Sequence, residues 1–447
     1  MKYLYRLLCL ALITCILVAC GGGGSAGCSV AVGGLACAGG GSGGGGGGGA
    51  PTPIPSFAKI YDMSGSNANH VGITPSSALI YAKGNFYGTT EGSTGSSYGS
   101  VFSMSPNGTP SAVHTFSGAD GALPFTGLTL AADGNLYGVT SDGGANGGGT
   151  VFQVTISTTG AISFTSVYDF GVTGTDGVSP MGTLVAGAGN DHALYGTTLL
   201  GGTNGNGTVF RIQLLGGTSV QESVIYNFDP ALQFGIKPLS GLIIDSHDVL
   251  YGTTSEGGLP GFGTIFSMDL GVIPATGLPA TPVIGVPTLL YAFKGRTQCI
   301  SQAICDGDTP SGSLTFGADG KLYGTTTKGG KDNVGTFFAL PTTGTVTSPV
   351  LYSFQSTNDG ANPNGNLIQL NGVFYGTTPN GGDANGDGTI FAVTTSGSEK
   401  LVHLFDMTNG ANPSSGLVVG GDGYLYGTTP NGGANSQGTI YKFYPSP

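Results

Sequence analysis

The sequence predicts an all-β fold, a seven-bladed β-propeller of four-stranded blades closed by an N-terminal strand that completes the last blade. Three observations predict it. A Tyr-Gly unit on an apolar strand recurs at Tyr87, Tyr137, Tyr195, Tyr251, Tyr323, Tyr375 and Tyr426. Each repeat holds four short strand patterns, the signature of a propeller blade. The two ends of the chain supply complementary parts of one blade. Composition agrees. The 447 residues include 87 Gly and 24 Pro, which exclude a mainly helical chain, while 19 Tyr and 22 Phe are enough to build a core.

Four strands are named A to D from the axis outward. B carries Tyr-Gly, followed in six repeats by Thr-Thr and in the other by Val139-Thr140. Its side chains alternate, so Leu136 and Gly138 share one face and Tyr137 and Val139 the other. This alternation predicts that a ring from one blade lies against glycine backbone of the next. C is Gly-Thr-Val-Phe or a relative, beginning at Gly99, Gly149, Gly207, Gly263, Gly335, Gly388 and Gly438. D ends in an aromatic pair such as Tyr168-Asp169-Phe170, with His114 and His403 in the Tyr position as packing residues. A is the Leu/Ile strand before each Tyr-Gly, for example Gly127 to Ala131 and Gly182 to Ala186. The last repeat has A, B and C but stops at Pro447 without D, and the fold begins with the D-like run Phe57 to Asp62. Pairing those ends would leave no free inner edge.

These words, Leu-Tyr-Gly-Thr-Thr, Gly-Gly-Ala-Asn-Gly, Gly-Thr-Val-Phe and Asp-Gly-Ala-Asn-Pro, resemble the Gloeobacter/Verrucomicrobia-type tandem repeat of "choice-of-anchor" bacterial surface proteins. The resemblance covers residues 57–447 and implies a scaffold with a variable anchor. It carries no catalytic residues.

The first residues carry an address. Lys2 and Arg6 precede an apolar run from Leu7 to Val18, too short to span a bilayer comfortably. Leu17-Val18-Ala19-Cys20 resembles a bacterial lipobox, which implies a signal peptide over residues 1–19 and a diacylglyceryl thioether on Cys20 that anchors the chain in a membrane. Gly21 after the Cys resembles lipoproteins sorted to an outer membrane, where the organism has one. Residues 20–55 read as a Gly-rich tether in which Cys28 and Cys37 either close a small loop or remain free thiols, and residues 56–447 as the propeller.

Formal net charge is −11; removing the two basic residues of the leader leaves −13 for the rest. This acidity argues against nucleic acid and against peripheral binding to anionic lipid. The D–A and B–C loops share one face and are rich in Asp, Asn and Gly, which suits either recognition of sugars, peptides or cations, or simply the turns that every blade needs. Asp383-Ala384-Asn385-Gly386-Asp387-Gly388 matches the first half of a Ca²⁺ loop, with Asp383, Asn385 and Asp387 as oxygen donors, although Thr394 stands where a bidentate Glu belongs. One segment breaks the symmetry: Lys294 and Arg296, then Cys299 and Cys305, then Asp306 and Asp308. Export predicts a Cys299–Cys305 disulfide, and the four charged residues are the candidate contacts for a specific ligand. No Ser-His-Asp order, HExxH or purposeful carboxylate pair is evident. The expectation is a monomeric, surface-tethered binding or adhesion propeller without catalysis and without a cofactor, taking a glycan or a protein. The alternatives are a structural envelope component or a metal-assisted lyase or hydrolase at the channel mouth.

Overall fold

The computed structural model describes residues 57–65, 71–92, 98–188, 191–271, 286–295, 305–344 and 346–445. They form seven antiparallel sheets of four strands each, two of them with the innermost strand split in two, arranged as a seven-bladed propeller. In blade 2, for example, A is Thr129–Leu130, B is Leu136–Thr140, C is Thr150–Ile156 and D is Ile162–Asp169. The one helical element among the described residues is a 3-10 turn, Pro230–Leu232.

The last blade is built from both ends of the chain. Phe57–Asp62 lies antiparallel to Thr439–Phe443, with Phe57 opposite Phe443, Ala58 opposite Lys442 and Tyr61 opposite Ile440. Ile60 occupies a bulge in this register and packs against the cluster that contains Ile440. Beyond the strand the contact continues: Met63 N donates to Gly438 O, and Asp62 Oδ1 accepts from Ala434 N.

Seven hydrophobic clusters fill the seven gaps between successive blades. Tyr137 of blade 2 packs with Leu184, Leu194 and Phe210 of blade 3, and the cluster joining Tyr426 and Ile440 of blade 7 to Phe86 and Phe102 of blade 1 closes the ring. The repeated word Tyr-Gly-Thr-Thr has a duty for each letter. The Tyr ring faces the next blade, and in five blades its hydroxyl donates to an Asp in the A–B turn, Asp133, Asp191, Asp245, Asp319 or Asp422. The Gly is covered by an aromatic ring, but that ring comes from strand C of the same blade, not from the neighbour as the alternation suggested. A Cβ on Gly138 would stand 2.4 Å from Phe152 and 2.7 Å from Leu128. The cross-strand partner of Gly138 is Phe152 itself, so pairing inside the blade brings the ring there before any neighbour can. The first Thr reaches across the gap: Thr197 Oγ1 donates to Ser240 O at 3.0 Å and Thr377 Oγ1 to Ser415 O at 2.9 Å. The second Thr pairs with the Thr or Ser that opens strand C, at 2.7 to 2.9 Å in all seven blades.

The A strands after each Pro are shorter than expected, two or three residues where five or six were predicted, and in blades 3 and 5 a separate four-residue piece, Gly177–Pro180 or Gly307–Pro310, pairs with strand B ahead of them. Their first residues leave the ladder and line the axis. Each A strand is preceded by a Pro, and the residue before that Pro holds a left-handed φ of 56° to 59°: Thr74, Leu123, Ser179, Lys237, Thr309, Asn362 and Asn412. Asn, the residue most tolerant of this conformation, occupies only two of the seven, so the turn is imposed by its surroundings and stores strain. Its N–H donates to the B–C loop of the preceding blade at 2.7 to 3.0 Å in every case. The Pro ring then seats on the positive-φ Gly that starts the preceding blade's strand C. A Cβ on Gly207 would stand 2.2 Å from Thr198 O and 3.0 Å from Pro238 Cδ.

Candidate functional site

This latch answers what the Asp/Asn/Gly-rich loops do. Asn362 Nδ2 donates to Thr327 O at 2.8 Å, Asn412 Nδ2 to Pro379 O at 2.9 Å, and Asn431 Nδ2 to Asn412 Oδ1 at 3.1 Å. These Asn side chains bind the ring's own backbone and one another. What the loops position is the residue after each Pro, which falls at the mouth of the central channel on the D–A face.

Seven chain segments converge there, one per blade. The first residue after each Pro is Ser76, Phe125, Met181, Leu239, Ser311, Asn364 or Ser414, and all seven line a cavity of about 150 Å3. In blades 1, 4 and 7 the second residue after the Pro is a Ser that turns inward to the blade, whereas blades 3, 5 and 6 have Gly182, Gly312 and Gly365 there. Ser77 Oγ lies 2.7 Å from Thr89 Oγ1, Ser240 Oγ 2.8 Å from Thr253 Oγ1, and Ser415 Oγ 3.0 Å from Thr428 Oγ1. Blade 2 departs from this scheme. Val139 replaces the first Thr, and Thr126 Oγ1 is left buried without a protein partner. Three further buried oxygens in the channel lack protein partners, and they belong to first-position residues: Ser76 Oγ, Ser311 Oγ and Asn364 Oδ1. The lining contains no carboxylate, imidazole, amine or thiol, so it presents hydrogen-bonding groups but no acid, base or usual metal ligand.

The described residues among those singled out from sequence lie elsewhere. Asp306 is buried at 6% exposure and occupies the same repeat position as Asp176 and Asp359. Its carboxylate accepts from Tyr291 Oη at 2.6 Å, Lys294 N at 3.0 Å and Gly307 N at 2.8 Å. Asp176 does the same for Tyr168 and Gly171 N. Asp306 therefore ties strand D to the loop that follows. Lys294 is half-buried, and Asp308 Oδ1 accepts from Thr309 Oγ1 at 2.7 Å. Cys305 is disulfide-bonded. Arg296, Cys299 and Cys20 lie outside the described residues, as do Cys28 and Cys37. In the loop with the calcium-like pattern, Asp383 Oδ1 accepts from Asn385 N at 2.8 Å and Gly386 N at 3.1 Å, the bonds of a local turn. Asp387 O accepts the latch N–H of Asn412. Among the described residues no group of three or more His, Cys, Asp or Glu could hold a metal ion. No helix among them is long and apolar enough to cross a membrane.

A second feature, between strands D, was not recognised from sequence. Tyr168 of blade 2 donates to Asp176 at 3.0 Å and lies 3.4 Å from Glu222 on strand D of blade 3. Tyr352 of blade 5 bonds Asp359 and lies 3.5 Å from Glu399 of blade 6. Burial first, and then the neighbouring Asp, push each Glu up to about 7. The hydroxyl has one proton, already given to the Asp, so the Glu is satisfied here when it carries its own proton. Where the Tyr position holds His, the facing residue is Phe: His114 stacks on Phe164 and His403 on Phe57, both at 3.6 Å with nearly parallel planes. Burial lowers His403 to about 4, in keeping with its expected packing role.

The repeat words that build this ring match a family model, the Gloeobacter/Verrucomicrobia repeat, over residues 37–189, 74–302 and 281–447. The chain belongs to the Gloeobacter/Verrucomicrobia repeat family. Among curated proteins no relative matches it. Solved structures resemble the chain at low identity. A Thermus thermophilus protein described as an oxidoreductase (glucose dehydrogenase) is 16% identical, with 70% of this chain and 94% of that one covered and a TM-score of 0.41. A Mycobacterium tuberculosis puromycin-hydrolyzing peptidase is 11% identical, with 85% and 61% covered and a TM-score of 0.38. The extracellular domain of a one-component system from B. thetaiotaomicron is 13% identical, with 85% and 50% covered and a TM-score of 0.37. Against these last two, this chain spans about half to three-fifths of the other chain's length. The descriptions of these neighbours differ from one another, and at these identities and TM-scores none of them assigns a role to this chain.

Proposed function

We propose that this repeat-family chain is a non-catalytic binding propeller, held to a membrane through lipidated Cys20 and presenting its D–A face to a ligand. The supporting observation is the channel mouth, where seven blades each contribute one variable side chain and none of the seven is an acid, a base or a nucleophile with a partner. The backbone bonds of the latch around them are spent on the fold, which leaves the seven side chains at the mouth free to differ from blade to blade. Screening the full-length protein on glycan and protein arrays at micromolar concentration tests the binding role. At least one saturable ligand is expected, and none on either array would refute it. The anchor is tested separately. Feeding cells labelled palmitate should label the wild type and not Cys20→Ser, and equal labelling of the variant would remove the anchor from the account.

A further inference from the structure

We infer that the channel mouth on the D–A face holds the end of one uncharged sugar ring. The inference rests on the binding role proposed above and names the ligand class of that site. The seven first-position residues are not mixed around the ring. Phe125, Met181 and Leu239 come from the consecutive blades 2, 3 and 4, and Ser311, Asn364, Ser414 and Ser76 from the consecutive blades 5, 6, 7 and 1. One arc of the mouth is apolar and the facing arc carries hydroxyls and an amide. A pyranose is two-faced in the same sense, with a C–H face that packs on apolar side chains and an edge of hydroxyls that both donate and accept.

Three observations narrow the class. No charged side chain lines the cavity, so a phosphate, a carboxylate or an ammonium would be desolvated without a counter-charge. Ser76 Oγ, Ser311 Oγ and Asn364 Oδ1 are buried and unpartnered within the protein. A buried polar group without a partner costs ~1–3 kcal/mol, and no protein bond offsets it at these three oxygens; in blade 1 the tie to strand B is made by Ser77 instead, and in blades 5 and 6 the second position is Gly312 and Gly365. Thr126 shares the condition but has a structural explanation in Val139 and is left out of the site. Below the mouth the channel narrows. Cβ atoms built on Gly182, Gly241 and Gly365 would fall 2.5 to 2.6 Å from carbonyl oxygens of the adjacent blades' A strands, so the backbones are in close contact. Only the end of a chain can enter. The cavity of about 150 Å3 has room for about five waters at ~30 Å3 each, which suits the end of one sugar ring and not a longer chain.

The test uses the full-length protein and methyl glycosides of glucose, galactose, mannose and N-acetylglucosamine, with glucuronic acid and glucosamine as charged counterparts. Saturation-transfer NMR and calorimetric titration give binding, and thermal melting gives stability. At least one neutral glycoside should bind, with both charged sugars at least tenfold weaker. The double variant S76A/S311A should melt no lower than wild type, since it removes two orphaned hydroxyls, yet bind at least tenfold more weakly. F125S should weaken binding in the same direction from the apolar arc. Silence from every neutral glycoside at about 10 mM, where even a millimolar Kd would register, overturns the inference. So does wild-type binding by S76A/S311A or by F125S. If an array ligand is found and these variants leave its binding unchanged, the propeller binds through another surface, and this inference alone fails. If the arrays and the glycosides are all silent, the proposed binding role fails with it.

Discussion

Replacing Glu222 and Glu399 by Gln should remove the fall in stability that these two groups are expected to give wild type between pH 5 and pH 7.5. Each Glu sits beside a Tyr already bonded to an Asp, and each is raised to about 7 from 4.5 by burial and that Asp. A carboxyl whose native pKa lies above its unfolded value adds stability that is complete below about 4.5 and lost as pH rises through 7. A shift of 2.5 units, about 7 minus 4.5, sets a ceiling of ~3.4 kcal/mol per glutamate at ~1.36 kcal/mol per unit. Both side chains are only partly buried at the blade edge, so solvent screening reduces this to about 1 kcal/mol each. His403 runs the other way. Burial lowers it to about 4, so it adds stability as pH rises from 4 to 6.5 and overlaps the same window. The difference between wild type and E222Q/E399Q isolates the glutamates. Melting at half-unit steps should show the variant losing about 2 kcal/mol less than wild type across the window, or about 2–4 °C. Parallel curves, or a variant that loses more than wild type, would refute the proton count assigned to the Tyr-Asp-Glu groups.

Two further substitutions probe the ring itself. Gly207→Ala puts a side chain on a backbone at φ 96°, with its Cβ 2.2 Å from Thr198 O and against Pro238, and should cost about 3 kcal/mol in urea unfolding; a cost below ~0.5 kcal/mol would mean the latch is not as tight as described. Val139→Thr restores the missing letter of blade 2, gives the buried Thr126 Oγ1 a partner, and should raise stability by about 1 kcal/mol in the same assay; a loss would show that the tie between strands A and B is not what the first Thr provides.

The ring was legible from sequence because each blade must solve the same packing problem with nearly the same words. Tyr137, Tyr195 and Tyr426 repeat at strand B since each closes a gap to the next blade, and the D-like run Phe57 to Asp62 is out of place anywhere except beside Thr439 to Phe443. The Gly of Tyr-Gly was recognised as a seat for a ring, but which ring depends on cross-strand register, and Gly138 opposite Phe152 is a pairing that a repeat count does not supply. The candidate site was less legible. Asp306 stood out because cysteines and basic residues flank it, yet its nearest relatives are Asp176 and Asp359 at the same repeat position, and its bonds are theirs. The channel residues were overlooked for the opposite reason. Ser76, Phe125, Met181, Leu239, Ser311, Asn364 and Ser414 look like noise after a repeated Pro until the ring places them side by side. The signal available was their common place, one step after a Pro that recurs in every repeat. Glu222 and Glu399 carried a similar clue, each four residues before the strand D aromatic of its blade.

The claim on which all of this rests is that the first strand completes the last blade. Ala58 and Lys442 face each other across that junction, and directly opposed residues of an antiparallel pair have Cα atoms about 4.5–5.5 Å apart, within disulfide reach. Ala58→Cys with Lys442→Cys, oxidised and mapped by peptide mass spectrometry, should give an intramolecular 58–442 cross-link in high yield and a higher melting temperature that reverts on reduction. Failure of the two cysteines to pair, or pairing only between separate chains, would contradict the closed seven-bladed ring.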